Sequence, residues 1–191
     1  MTKILAFAGS SRTDSFNRKL IAIAAQGAQQ ADAEVTLIDL RDYPMPIFDQ
    51  DYETHQGMPE KARQFKHHLM HSDGVLISSP EYNSGYSGLL KNCIDWASRS
   101  EAPDEKSLVA FSGKCVSLMS ASPGGFGGLR GLVSLRMLLG NLGMTVLPDQ
   151  VTVSNAMKAF NQEGQLVDQK QQQAIINLGI NLVATLNKLN G

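Results

Sequence analysis

Five stretches of this chain carry apolar residues in nearly unbroken runs: Lys3 to Ala8, Glu34 to Leu40, Val75 to Ser78, Lys114 to Ala121 and Met144 to Val153. Short apolar runs rich in β-branched residues read as strands covered on both faces. Between them the apolar positions fall at helical spacing. Leu20, Ile21, Ile23 and Ala24 mark one helix, Pro59 to about His71 a second, and a third begins near Ser87. Leu129 to Leu142 forms a fourth, with Leu132, Leu135, Leu138, Leu139 and Leu142 on one side. A leucine stripe of this kind serves a core or a subunit interface more often than a cofactor. Lys170 to Leu189 closes the chain as an amphipathic helix with Ile175, Leu178, Leu182, Ala184 and Leu186. Strands alternating with helices specify the α/β class, a doubly wound parallel sheet. Arg41 to Pro59 has no clear period and carries Pro44, Pro46, Gly57 and Pro59. A connection of that length is expected to be functional or tied down. With no repeat, linker or low-complexity tract, residues 1–191 are expected to form a single domain.

Composition changes this picture only by exclusion. Hydrophobic residues make up 42% of the 191 and charged residues 18%, as in an ordinary globular protein. A net charge of −1 offers no footprint for nucleic acid, and no basic run suggests a membrane surface. The apolar start, Ile4 to Ala8, is too short for a signal-peptide core and runs into a polar loop. Cys93 and Cys115 lie in apolar surroundings and read as buried small side chains, not a disulfide framework. The chain is expected to be cytoplasmic, with neither nucleic acid nor membrane as partner.

The chemistry is concentrated in the loops after the first, third and fourth strands. Gly9-Ser10-Ser11-Arg12-Thr13-Asp14-Ser15-Phe16-Asn17 brings hydroxyls, an amide and a cation to a helix N-terminus. Free N–H groups and the helix dipole favour a phosphate there. No G-x-x-x-x-G-K-[ST] stands there for a triphosphate and no G-x-G-x-x-G for a pyrophosphate, so a monophosphate is expected. Pro80-Glu81-Tyr82-Asn83-Ser84-Gly85 offers backbone groups, the Glu81 and Asn83 side chains and the flat face of Tyr82 to a planar heterocycle. In Ser122-Pro123-Gly124-Gly125-Phe126-Gly127-Gly128 the glycine spacing fails the dinucleotide fingerprint. This loop suits a close approach of backbone to one side of a ring.

S-P-E-Y-N-x-x-x-x-x-x-L-K-N-x-I-D-W, from Ser79 to Trp96, resembles the signature of the NAD(P)H-dependent FMN reductases. G-S-x-R-x-x-S-x-N, from Gly9, is similar to their phosphate loop. The resemblance covers nearly the whole chain. It implies a flavodoxin-like, doubly wound five-stranded parallel sheet of order 2-1-3-4-5, with helices on both faces and a switch point between strands one and three. It further implies FMN as cofactor, NADPH or NADH as electron donor, and a small-molecule electron acceptor: free flavin, a quinone, an azo compound or a metal oxyanion. The cofactor-binding residues it suggests are Ser10, Ser11, Arg12, Ser15, Phe16 and Asn17; Pro80, Glu81, Tyr82, Asn83, Ser84 and Gly85; and Ser120, Ala121, Ser122, Gly124 and Gly125. Arg12, Ser10, Ser15 and Asn17 would hold the phosphate, while Glu81, Tyr82 and Asn83 would orient the isoalloxazine. No side chain is assigned a catalytic role and no metal is expected. A homodimer or homotetramer is implied, with Leu-Arg-Asp-Tyr-Pro from Leu40 reaching toward a neighbouring subunit. Most family members have proline where this chain has Ser87, a residue able to cap the helix instead.

Two other readings compete. His67-His68-Leu69-Met70-His71 places two histidines four apart, as in zinc proteases. However, His68 stands where their general-base glutamate belongs, and a surface cluster is the expected outcome. A non-enzymatic FMN-binding electron carrier docking on protein partners would share the fold. The near-neutral charge argues against it.

Overall fold

The computed structural model describes the chain from Met1 to Asn190. Its five strands are β1 (Lys3–Ala8), β2 (Glu34–Asp39), β3 (Gly74–Ser78), β4 (Cys115–Ala121) and β5 (Thr145–Val153). All neighbours pair in parallel, in the order β2-β1-β3-β4-β5, the flavodoxin-like arrangement. Every residue of β3 and β4 is buried, and all of β1 except Lys3.

The helices are α1 (Phe16–Gln30), α2 (Gln50–Gln56), α3 (Glu60–Met70), α4 (Gly88–Ala97), α5 (Leu129–Asn141), α6 (Ala156–Ala159) and α7 (Gln169–Asn190). The two-residue period of the strands divides the interior into two cores. Ile4, Ala6, Ala8, Leu76 and Met119 join α1 and α7 in one; Leu5, Phe7, Val75, Ile77 and Leu118 join α3, α4 and α5 in the other. Glycines let α1 and α7 approach closely. A Cβ on Gly27 would come within 2.0 Å of the Ile176 carbonyl oxygen, and one on Gly179 within 2.2 Å of that of Ala24. Either substitution would push the helices apart. Of the leucine stripe on α5, Leu132, Leu135 and Leu139 are fully buried, which settles that side as core.

The structure departs from the apolar pattern at three places. β2 ends at Asp39, and Leu40–Asp42 forms a 3₁₀ turn. The connection expected to be irregular contains α2, which buries none of its own residues. Asp49 caps it, accepting from the Tyr52 N–H at 2.8 Å. Asn92 and Trp96 then tie down the preceding segment: both donate to the Pro46 carbonyl, at 2.9 and 2.8 Å, and the Phe48 N–H donates to Asn92 at 2.8 Å. At the far edge, the pairing of β4 with β5 jumps from Val116↔Val146 to Leu118↔Gln150. Pro148 lies in the skipped stretch, where its missing N–H breaks no ladder bond. Arg136 donates from both terminal nitrogens to the Leu147 carbonyl, at 2.8 and 2.6 Å. Among the described residues no helix is long and apolar enough to cross a membrane.

Candidate functional site

The loops after β1, β3 and β4 leave the carboxyl ends of three adjacent parallel strands and therefore share one rim. Short backbone bonds prolong the sheet into their bases. The Gly9 N–H donates to Ser78 O at 2.9 Å, Ser79 N–H to Met119 O at 2.9 Å, and Ser122 N–H to Val153 O at 3.0 Å.

Asn17 binds the three loops together from below. It is 3% exposed. Its Oδ1 accepts from Ser78 Oγ at 2.9 Å and from the Ala121 N–H at 3.0 Å, and its Nδ2 donates to Ala121 O at 2.9 Å. The amide thus joins the start of α1 to the ends of β3 and β4, and one of its N–H groups has no protein acceptor among the described residues. Ser15 caps α1, its hydroxyl accepting from the Arg18 N–H at 3.4 Å. Among the described residues, the backbone N–H groups of Ser10, Ser11 and Thr13 to Asn17 meet no protein acceptor. Arg12 is held only loosely, 3.9 Å from Asp14, with its guanidinium 4.8 Å over the Phe16 ring. Phe16 itself stacks on Phe160 at 5.9 Å, so its ring is largely taken up by packing.

In the second loop, Tyr82 and Gly85 exchange hydrogen bonds of 2.8 and 3.0 Å, closing a tight turn. Asn83 and Ser84 occupy its centre at φ 51° and 67°, the left-handed pair of a type I′ turn. The turn leaves the backbone N–H groups of Asn83 and Ser84 and the Asn83 amide without protein partners among the described residues. Tyr82 is 55% exposed beside them. Glu81 points elsewhere. Its carboxylate accepts from the Arg130 and Gly131 N–H groups at 3.1 and 3.2 Å and from the Arg130 guanidinium at 3.0 and 2.8 Å. It therefore caps α5 and fastens the second loop to the third; it cannot also read a ring edge without giving these bonds up.

The third loop divides as well. A Cβ on Gly125 would meet nothing within 4 Å and one on Gly124 only Ser122 Oγ at 3.7 Å, so both glycines face open space. The glycines that the fold demands are Gly127, at φ 60°, where a Cβ would fall 2.9 Å from Ser154 N, and Gly128, at φ 93°, where one would fall 1.9 Å from Ser120 Oγ. Ser120 lies fully buried beneath Gly128, its hydroxyl without a hydrogen-bond partner among the described residues.

A small cleft of about 110 Å³ collects Ser10, Arg12, Ser15, Phe16, Asn17, Pro80, Glu81, Tyr82, Ala121 and Ser122, together with Pro123, which the sequence pattern did not single out. Ser11, Asn83, Ser84, Gly85, Gly124 and Gly125 lie outside it. A larger groove of about 730 Å³ runs along α1 and β2, where Arg18 pairs with Asp39 at 2.9 Å and Lys19 with Asp14 at 2.7 Å. Among the described residues no group of three or more His, Cys, Asp or Glu side chains is placed to hold a metal ion. His68 Nε2 lies 2.8 Å from the Tyr43 hydroxyl, and burial lowers its pKa from the usual 6.5. Cys93 is buried, which pushes its thiol up to about 12, and Cys115 is buried and shifted the same way.

Comparison with known proteins bears on this rim. Residues 2–158 match the family model described as NADPH-dependent FMN reductase. The chain is 34% identical over 174 residues to an NAD(P)H-dependent FMN reductase of Pseudomonas aeruginosa, spanning 91% of this chain and 89% of that one. It is 33% identical over 161 residues to a quinone reductase of Pseudomonas putida, spanning 84% and 82%. Among solved structures it resembles the flavoenzyme NAD(P)H:(acceptor) oxidoreductase FerB of Paracoccus denitrificans, with a TM-score of 0.79 at 26% identity over 98% of each chain.

Proposed function

The chain belongs to the NADPH-dependent FMN reductase family, and from that premise we propose that it carries electrons from NADPH or NADH through FMN to a quinone. The observation that carries this reading is the row of unclaimed backbone donors at the N-terminus of α1, beside a cleft sized for a phosphate and not for a whole flavin. Those donors, the hydroxyls of Ser10 and Ser15 and the loosely held Arg12 fit a monophosphate. The ring system would lie outside the cleft, against Tyr82, the free N–H groups of Asn83 and Ser84, and the open face of Gly124 and Gly125. Bound there, FMN supplies the two-electron chemistry. The protein's part is to hold the phosphate end and to leave one face of the ring exposed to a flat partner. A shallow site of this kind suits a diffusible planar acceptor, and relatives named as quinone reductases support a quinone.

The decisive experiment is anaerobic. Protein saturated with FMN is expected to lose its visible flavin band on addition of NADPH or NADH and to regain it on addition of a benzoquinone. A band that neither nucleotide bleaches would sink the reductase reading. One that bleaches but stays colourless with the quinone would sink the choice of acceptor.

The same reading includes a homodimer or homotetramer. Its support is the outer side of α5, where Leu129, Val133 and Met137 stand 40, 61 and 67% exposed one turn apart, next to Phe126. Val133→Glu combined with Met137→Glu is expected to lower the mass measured by sedimentation; an unchanged mass would clear this face of the role.

A further inference from the structure

Ser87 lies 78 residues from Gly9 in the chain, yet its hydroxyl joins the phosphate loop to α4. Ser87 Oγ donates to the Gly9 carbonyl at 2.5 Å and accepts from the Leu90 N–H at 3.1 Å. One buried hydroxyl, 2% exposed, therefore caps α4 and holds a backbone carbonyl of another loop. Gly9 is fixed from its other end as well, its N–H donating to Ser78 O. There is no slack beside it: a Cβ there would come within 3.0 Å of the Leu90 side chain.

Holding the Gly9 carbonyl has a consequence one atom further on. A trans peptide is planar, with its C=O and N–H opposed. With the Gly9 carbonyl turned onto Ser87, the Ser10 N–H must point away from α4. Ser10 is 4% exposed, lines the cleft, and its N–H has no acceptor among the described residues. Buried N–H groups are almost always paired. Its partner must come from the cleft, as a ligand or as water.

We propose that Ser87 is a positioning residue for the phosphate end of the cofactor: its hydroxyl fixes the Gly9–Ser10 peptide so that the Ser10 N–H is presented to the phosphate. The proposal rests on the FMN reading of the cleft.

The test compares FMN with riboflavin, which has the same ring and side chain but no phosphate, by fluorescence titration of the wild type, Ser87→Ala and Ser87→Pro. Proline suits the backbone here, at φ −69° and with no hydrogen bond from the Ser87 N–H, so it keeps the test available if loss of the cap unfolds Ser87→Ala. FMN affinity is expected to fall about fivefold in the variants, as for loss of one oriented hydrogen bond, with riboflavin affinity nearly unchanged. Equal losses for both ligands, or none for either, would overturn the role of Ser87. A wild type that fails to prefer FMN over riboflavin would instead overturn the phosphate reading on which the proposal stands.

Discussion

Two polar regions of this molecule look alike in composition and differ in how their hydrogen bonds are used. The first is the corner where α3 meets the segment after α4. Lys66, 1% exposed at its side chain, donates to Arg99 O at 2.9 Å, to Glu105, and lies 3.3 Å from Glu101. Arg63 holds Glu60 at 2.7 Å and Glu101 at 2.9 Å, and Arg99 holds Glu53 of α2 at 2.8 Å. Each charge there is answered from within the protein. The second region is the loop from Ser10 to Asn17, equally polar, whose donors largely point at nothing. Density of polar residues does not mark a site. Unused hydrogen-bonding capacity, gathered around a cleft at the end of a sheet, does.

Substitutions can break this contrast, beginning with the largest effect. Lys66→Ala leaves Glu101 and Glu105 facing each other without their shared cation. It is expected to cost about 3 kcal/mol, roughly 10 °C in Tm for a chain of this size, while FMN affinity measured below the transition stays at the wild-type value. Weaker flavin binding in the folded variant would mean that the two regions are not separate. Arg12→Ala is the opposite case. Its side chain is 55% exposed and is held only by one distant ion pair and the Phe16 ring, so Tm should barely move, whereas FMN affinity should drop about tenfold and riboflavin affinity should hold. A fall in Tm would place Arg12 among the structural charges. Asp39 tests the ground between, since it pairs with Arg41 at 2.7 Å and, through Arg18, reaches the loop after β1 at Thr13 O. The hydrogen-bonded Arg41 guanidinium holds its carboxyl below the usual 3.8, with Arg18 adding to the effect. A depressed carboxylate stabilises the fold above its unfolded pKa, and the gain vanishes as pH falls through the lower folded value. Asp39→Asn should therefore cost at most about 1 kcal/mol near neutrality, and its denaturation curve should converge with wild type in acid. A gap that persists at low pH would point to packing instead of charge.

The order of the sheet was implied by the resemblance, while its strands were legible because the three inner ones are largely apolar and the helices between them keep their period. α2 was not. Its sequence, Gln50 to Gln56, has no apolar stripe, and it is held from outside by the Asp49 cap, by Tyr52 against the Trp96 ring at 5.9 Å, and by Glu53 on Arg99. The second half of the signature, with Asn92 and Trp96, serves this anchoring. At the rim, the loops could be located from sequence, but the direction of their side chains could not. Asn17 and Glu81 are the polar residues a reader would aim at a ligand. The structure turns Glu81 onto the start of α5 and commits most of the Asn17 amide to strand ends. Ser120 is hidden because Gly128, eight residues later, folds back over it. Such directions depend on contacts distant in the chain, which no local pattern encodes.

The sheet has two free margins, and β5 is one of them. An exposed margin invites a second chain to extend the ladder, and repetition of that step has no natural end. Here the jump in register, Pro148 without an N–H, and the Arg136 guanidinium over the Leu147 carbonyl interrupt the margin at its middle. A strand arriving at β5 finds a broken row of donors and acceptors. Growth into a continuous sheet is disfavoured on that side by the same devices that set the register of β5.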